Sequence, residues 1–137
     1  RALEVFYATG IPMSSQRKIK PPPWNFIELG LDPKDLNQRI ARRTQEMFKN
    51  GLIEETQKLI NQFGLDLPLL KTIGYQEALS ILQGTMNLHE AIDLTNQRTK
   101  NFAKRQRTWF KNQHSPKWLK NENALRESIS LIQDVIG

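Results

Sequence analysis

The chain has 137 residues, 38% hydrophobic and 25% charged, which suits one soluble globular domain with a modest core rather than a disordered segment. It has no cysteine, which excludes disulfides, thiolate metal sites and cysteine nucleophiles and fits a reducing cytosol. No apolar run approaches a membrane span, no signal peptide is visible, and the net charge of +6 favours a polyanionic partner.

In chain order, Ala2 to Thr9 read as the last turns of a helix closed by Gly10. The chain opens on Arg1, and nothing before Ala2 is available to cap that helix, so a piece of a longer protein is expected. A loop follows, ending in the stiff run Pro21-Pro22-Pro23. Trp24 to Leu31 is predicted as a strand. Its apolar residues on both faces imply burial on both sides and a need for sheet neighbours. Asp32-Pro33-Lys34-Asp35 signals a helix start, with Asp32 as N-cap and Pro33 at the first helical position.

That helix carries Leu36, Ile40 and Met47 on one face and stops at Gly51. The next runs from Leu52 to Phe63 and stops at Gly64. Tyr75, Ala78, Leu79 and Leu82 mark a third, ended by Gly84. Asn87 to Glu90 forms a capping box for a long helix reaching Asn112. His114-Ser115-Pro116 breaks it, Trp118-Leu119 suits a very short strand, and Leu125, Ile129, Ile132 and Ile136 define a last helix capped by Asn123.

The long helix is the most informative element. Between Arg98 and Lys111 it holds Arg98, Lys100, Lys104, Arg105, Arg107 and Lys111 and no acidic residue. Helical spacing sets these apart from Ile92, Thr95, Thr99, Phe102, Gln106 and Trp109, so Phe102 and Trp109 are expected to pack inward. A solvated face is the bland reading. Exposed helices usually mix charges to gain i,i+4 pairs, so a face of one sign favours anion binding.

Arg43 projects between Leu36 and Met47 on an apolar stripe, with Arg39 at its edge. Either an ion pair or snorkelling stem explains it, or a fork for phosphate or diphosphate. Lys71 to Gln76 leads into the third helix. There Gly74 permits close backbone approach, and Tyr75 can stack, donate a hydrogen bond or simply fill core. His89 and His114 stand apart, so no metal site and no histidine catalysis is read. Glu54, Glu55 and Glu77 read as solvated helix residues. No Gly-rich phosphate loop is present.

Several runs together resemble the tRNA dimethylallyltransferase (tRNA isopentenyltransferase) family. They are Arg1-Ala2-Leu3-Glu4-Val5 with Thr9-Gly10, Arg39-Ile40-Ala41-Arg42-Arg43, Gly51-Leu52-Ile53-Glu54-Glu55, Ile73-Gly74-Tyr75-Gln76-Glu77 and Thr99 to Phe110. The last, with Ala103-Lys104-Arg105-Gln106 before Thr108-Trp109, is the most specific. The resemblance implies a cytoplasmic tRNA-modifying transferase related in fold to P-loop kinases. It moves dimethylallyl from dimethylallyl diphosphate to N6 of the adenine 3′ of the anticodon, a base drawn out of its stack. It implies that the phosphate loop, Mg²⁺ and the general-base aspartate belong to a missing amino-terminal half, with no catalytic residue here.

By the same resemblance, Arg43 and Arg39 reach the diphosphate. Lys71, Gly74, Tyr75, Gln76, Lys100, Lys104, Arg105, Gln106 and Arg107 contact the tRNA anticodon stem-loop, and Arg98, from the basic face of the same helix, is expected to join them. Two positions depart from many relatives, which carry a basic residue at Gln76 and an arginine at Lys100. The expected fold is mainly α, with about five helices and one or two strands belonging to the parallel sheet of a parent P-loop α/β fold. Residues 1–16 would be the tail of a helical insertion and residues 17–137 the carboxy-terminal part of the catalytic core. The alternatives are a non-catalytic basic helical module that binds nucleic acid, or a helical interaction domain whose charges only solubilise it.

Overall fold

The structure, a computed structural model, describes residues 2–12, 15, 23 and 26–136. Among them are six α-helices: α1 (Ala2–Thr9), α2 (Leu36–Lys49), α3 (Leu52–Phe63), α4 (Tyr75–Leu82), α5 (Leu88–Gln113) and α6 (Ala124–Ile136). Two short strands, β1 (Leu29–Leu31) and β2 (Lys117–Leu119), and two 3₁₀ turns, Pro68–Lys71 and Asn121–Asn123, complete the described elements. No described helix is long and apolar enough to cross a membrane.

The core lies where α2, α3, α4 and the first half of α5 meet. Phe48, Leu52, Ala78 and Ala91 form its centre, with Met47, Ile53, Tyr75, Ile81, Met86 and Ile92 packed around them. Ala78 and Ala91 are fully buried, which suits the close packing of α4 against α5. The buried stripe of α2 runs Ile40, Thr44, Phe48, one turn apart. Gly51, at φ 99° in the left-handed region, makes the tight corner between α2 and α3. At the start of α5 the predicted capping box is formed: the Asn87 side chain accepts from the Glu90 N–H at 3.0 Å, and Glu90 accepts from the Asn87 N–H at 2.9 Å.

Three local expectations are corrected. The strand expected from Trp24 is confined to Leu29–Leu31 among the described residues; Trp24 itself lies outside them. It is not covered on both faces, since Leu31 is 56% exposed. Its neighbour comes from the far end of the chain: β1 pairs in parallel with β2, Leu29 opposite Lys117 and Leu31 opposite Leu119. The Trp118 ring lies on Gly30, where an added Cβ would come within 2.7 Å of it.

The second correction concerns Asp32, which does not cap α2. Arg107 of α5 draws its carboxylate away, with Nε donating at 2.7 Å and Nη2 donating to the same oxygen. Helix α2 therefore begins after a turn, with Asp35 at the N-cap position. The third is that Phe102 and Trp109 do not pack inward, being 47% and 53% exposed. Beyond Thr99 the side chains of α5 are exposed, Ala103 alone being half-buried among residues 100–113. Helix α6 begins after Asn123, as expected from the sequence. Glu127 accepts the Lys120 N–H at 2.9 Å, while Leu125, Ile129, Ile132 and Val135 stay exposed.

Candidate nucleic-acid and phosphate-binding surface

The segment before α4 is built around a glycine that needs its conformation. Gly74 sits at φ 95° and ψ −57°, and an added Cβ would lie 3.3 Å from the Met47 methyl. This turn presents Lys71 at the end of the 3₁₀ turn, then Tyr75 and Gln76 on the first turn of α4. The Tyr75 hydroxyl donates to Glu55 Oε1 at 2.5 Å. That bond, with burial and the negative charge of Glu55 adding to it, raises the phenol above its ordinary value. Tyr75 is thus partly core and partly a placed hydrogen-bonding group.

Arg43 shares a hollow of about 520 Å³ with Tyr75, Glu46, Met47, Asn50, Leu52 and Glu55. It is exposed, which corrects its expected place on a buried stripe. The stripe turns through Thr44 and Phe48, so Arg43 stands beside the apolar face with its guanidinium accessible. Arg39 is also exposed, and its Nε donates to Asp35 at 2.9 Å. This bond, foremost, holds the Asp35 carboxyl below the usual range.

The far half of α5 is the cationic element. Lys100, Lys104, Arg105, Gln106 and Arg107 are exposed along it. The guanidinium carbon of Arg105 lies 5.8 Å from the centre of the Phe102 ring. Trp109 lines a shallow hollow of about 390 Å³ with Lys104, Arg105, Thr108, Asn112 and Gln113. Cations interleaved with exposed aromatic rings are the pattern that holds single-stranded nucleic acid. Arg107 turns away to Asp32, and so borders a larger, mostly apolar hollow of about 630 Å³ between β1, β2 and α5. On the edge of that hollow His114 Nδ1 lies 2.8 Å from Glu28 Oε1, so this histidine does not stand apart. His89 lies exposed on α5, 3.3 Å from Asp93.

The two predicted RNA-contacting runs meet at Glu77. This residue was expected to be solvated, but it is 1% exposed. Its Oε2 accepts the Gly74 N–H at 2.7 Å, and its Oε1 accepts from Arg98 Nη1 at 2.6 Å. The same Nη1 donates to Gln76 Oε1 at 2.6 Å. The spacing Gly74-x-x-Glu77 carries the signal that would have found it, since a carboxylate three residues into a helix reaches back to the N-cap N–H. Its pairing with Arg98 needs the tertiary fold. Among the described residues, no group of three or more His, Cys, Asp or Glu is placed to share a metal ion.

The family model described as IPP transferase matches residues 1–113. The chain belongs to the IPP transferase family. Curated members that it resembles are named tRNA dimethylallyltransferase: one from Prochlorococcus marinus strain SARG is 60% identical over the whole chain, and one from Synechococcus sp. strain CC9902 is 54% identical. The chain spans 46% of the length of each. Among solved structures, it is similar to a tRNA isopentenylpyrophosphate transferase from Staphylococcus epidermidis, with a TM-score of 0.72 and 28% identity over 98% of this chain and 46% of that one. A full-length tRNA isopentenylpyrophosphate transferase from Bacillus halodurans gives a TM-score of 0.71 at 29% identity, covering 96% of this chain and 49% of that one. The helical fold and its small parallel sheet are therefore those of an IPP transferase segment.

Proposed function

We propose that this chain supplies the tRNA contacts and part of the diphosphate site of a tRNA dimethylallyltransferase. The reaction joins dimethylallyl to N6 of the adenine 3′ of the anticodon. The new C–N bond forms as the bond between the allylic carbon and the diphosphate oxygen breaks, and one N6 proton leaves. The observation that carries this reading is the meeting of Gln76 and Arg98, one from each run, at the buried carboxylate of Glu77, beside an exposed cationic helix. Lys71, Gly74, Tyr75 and Gln76 form one edge of the RNA surface, and Lys100, Lys104, Arg105 and Gln106 the other, which Arg107 joins once its bond to Asp32 yields.

Arg43 is the diphosphate ligand in this reading. An accessible guanidinium beside Tyr75 and Asn50 suits a phosphate oxygen pair, and its fork geometry fits two such oxygens. Arg39 assists once its bond to Asp35 yields. Mg²⁺ is assigned to the rest of the enzyme, together with the phosphate loop and the general base, and this chain's residues hold none of the three. The enzyme works in the cytoplasm, where its tRNA substrate is.

The test is binding of the 137-residue chain to an unmodified anticodon stem-loop and to a scrambled hairpin of equal length, across a salt series. Tighter binding to the stem-loop at every salt concentration is expected. Equal binding that fades steeply with salt would reduce the chain to a phosphate-binding module and overturn the selective part of the reading. In parallel, incubation with dimethylallyl diphosphate and tRNA should give no prenylated product, because the base and phosphate loop are absent.

A further inference from the structure

Among the described residues Glu77 is the one buried charged side chain. A buried carboxylate persists only where both oxygens find partners. Here each oxygen holds a different element: Oε2 the Gly74 N–H at the start of α4, and Oε1 the guanidinium of Arg98 on α5. The two hydrogens of Arg98 Nη1 are accounted for by Glu77 and Gln76, each at 2.6 Å. Arg98 is 38% exposed, so it sits at the seam between core and surface rather than out on the cationic face.

The consequence is geometric. Gly74 occupies a backbone conformation open to few residues, and a glycine, free to leave it, needs something to hold it there. Lys71 lies three residues before it and Gln76 two after. Lys100 lies two residues beyond Arg98, and Lys104 one turn further. One carboxylate therefore stands between the two runs of RNA-contacting side chains.

We propose that Glu77 is a positioning residue for tRNA binding, acting through Arg98, which serves as a strut between the Gly74–Gln76 turn and α5 and not as a phosphate ligand. This rests on the functional reading above and deepens it, because it separates the side chains that touch RNA from those that set their spacing. A charge-assisted bond in a site of low dielectric holds position better than the same pair in water. Losing either partner frees the turn and α5 to move separately, while the cations of α5 remain.

The experiment uses the full-length enzyme that contains this chain. Glu77→Ala, Glu77→Gln, Arg98→Gln and Arg98→Lys are compared with wild type for stem-loop Kd over a salt series, KM for tRNA and for dimethylallyl diphosphate, and Tm. Glu77→Ala and Arg98→Gln should each raise the stem-loop Kd and the KM for tRNA about tenfold, leaving the KM for the diphosphate substrate within about twofold. Glu77→Ala combined with Arg98→Gln should bind no more weakly than Glu77→Ala alone, since the pair acts as a unit. The slope of log Kd against log salt should stay at its wild-type value in all of them, and Arg98→Lys should recover part of the affinity.

A slope flattened by about 0.7–0.9 in Arg98→Gln alone would make Arg98 a direct phosphate ligand and overturn the proposal. So would a wild-type Kd in Glu77→Ala, whatever its Tm. Should Glu77→Ala fail to fold, Glu77→Gln and Arg98→Gln decide the matter by the same slope. A wild-type enzyme that does not prefer the stem-loop to a scrambled hairpin would instead overturn the functional reading beneath the proposal, an outcome visible without any variant.

Discussion

Helix α5 is one continuous helix with two environments. Its first half carries Ala91 and Thr95, both buried, and is seated against α2 and α4. From Lys100 onward only Ala103 is half-buried, and the apolar residues Phe102, Trp109 and Phe110 are exposed beside cations. The first half is held by packing and therefore fixes the axis. The second half inherits that axis and displays its side chains along it. A cationic surface built this way needs no core of its own, because rigidity propagates along the helix from the seated end.

The largest effect that would test this contrast is on stability. Phe48→Ala, in the core that seats α5, should lower unfolding free energy by about 3–5 kcal/mol, measured by urea unfolding of the full-length enzyme. Trp109→Ala, on the displayed half, should cost less than about 1 kcal/mol. Comparable losses would show that the far half is as tightly packed as the near one. Next in size is the binding counterpart: Arg105→Glu should weaken stem-loop binding about tenfold, roughly 1.4 kcal/mol, with Tm almost unchanged. A collapsed Tm would place Arg105 in the packed region.

A smaller effect sharpens the near side. Tyr75→Phe removes the hydroxyl bonded to Glu55 and should cost about 0.5–1 kcal/mol at neutral pH. Because the folded phenol titrates above its ordinary value, the protonated form is the stabilised one. The gap between wild type and Tyr75→Phe should be complete below about pH 10 and shrink as pH rises through the raised value. A gap that stays constant into strong alkali would remove the Tyr75–Glu55 bond from the account. The smallest effect belongs to the exposed Asp35–Arg39 pair. Asp35 titrates below its ordinary value, so its contribution is present above about pH 4 and is lost as pH falls through the lowered value. Asp35→Asn should therefore differ slightly from wild type near neutrality and match it in acid.

Much of the helical layout was legible along the chain. Glycines at 51, 64, 74 and 84 mark the corners, all at positive φ, and the Asn87–Glu90 box starts α5 where its spacing said it would. The cationic run and the Gly74-Tyr75 turn were legible as candidate sites because their residue types are unusual in those positions. Arg43 was misplaced for an identifiable reason. Helical spacing located an apolar stripe through Leu36, Ile40 and Met47, but the buried line follows Ile40, Thr44 and Phe48, and a threonine does not announce itself as core. Asp32 was misread because its local capping role competes with a charge brought from Arg107, which no local window contains.

The sequence by itself determined the helix periods, the turn glycines, the one-signed charge of α5 and the family motifs, since each depends on residues a few positions apart. Only the tertiary structure decided that β1 pairs with β2, that Asp32 meets Arg107, and that Glu77 is buried against Arg98. Those contacts join distant parts of the chain. Their formation depends on which surfaces come together when the core closes, and that information is spread over the whole packing arrangement rather than held in any one segment.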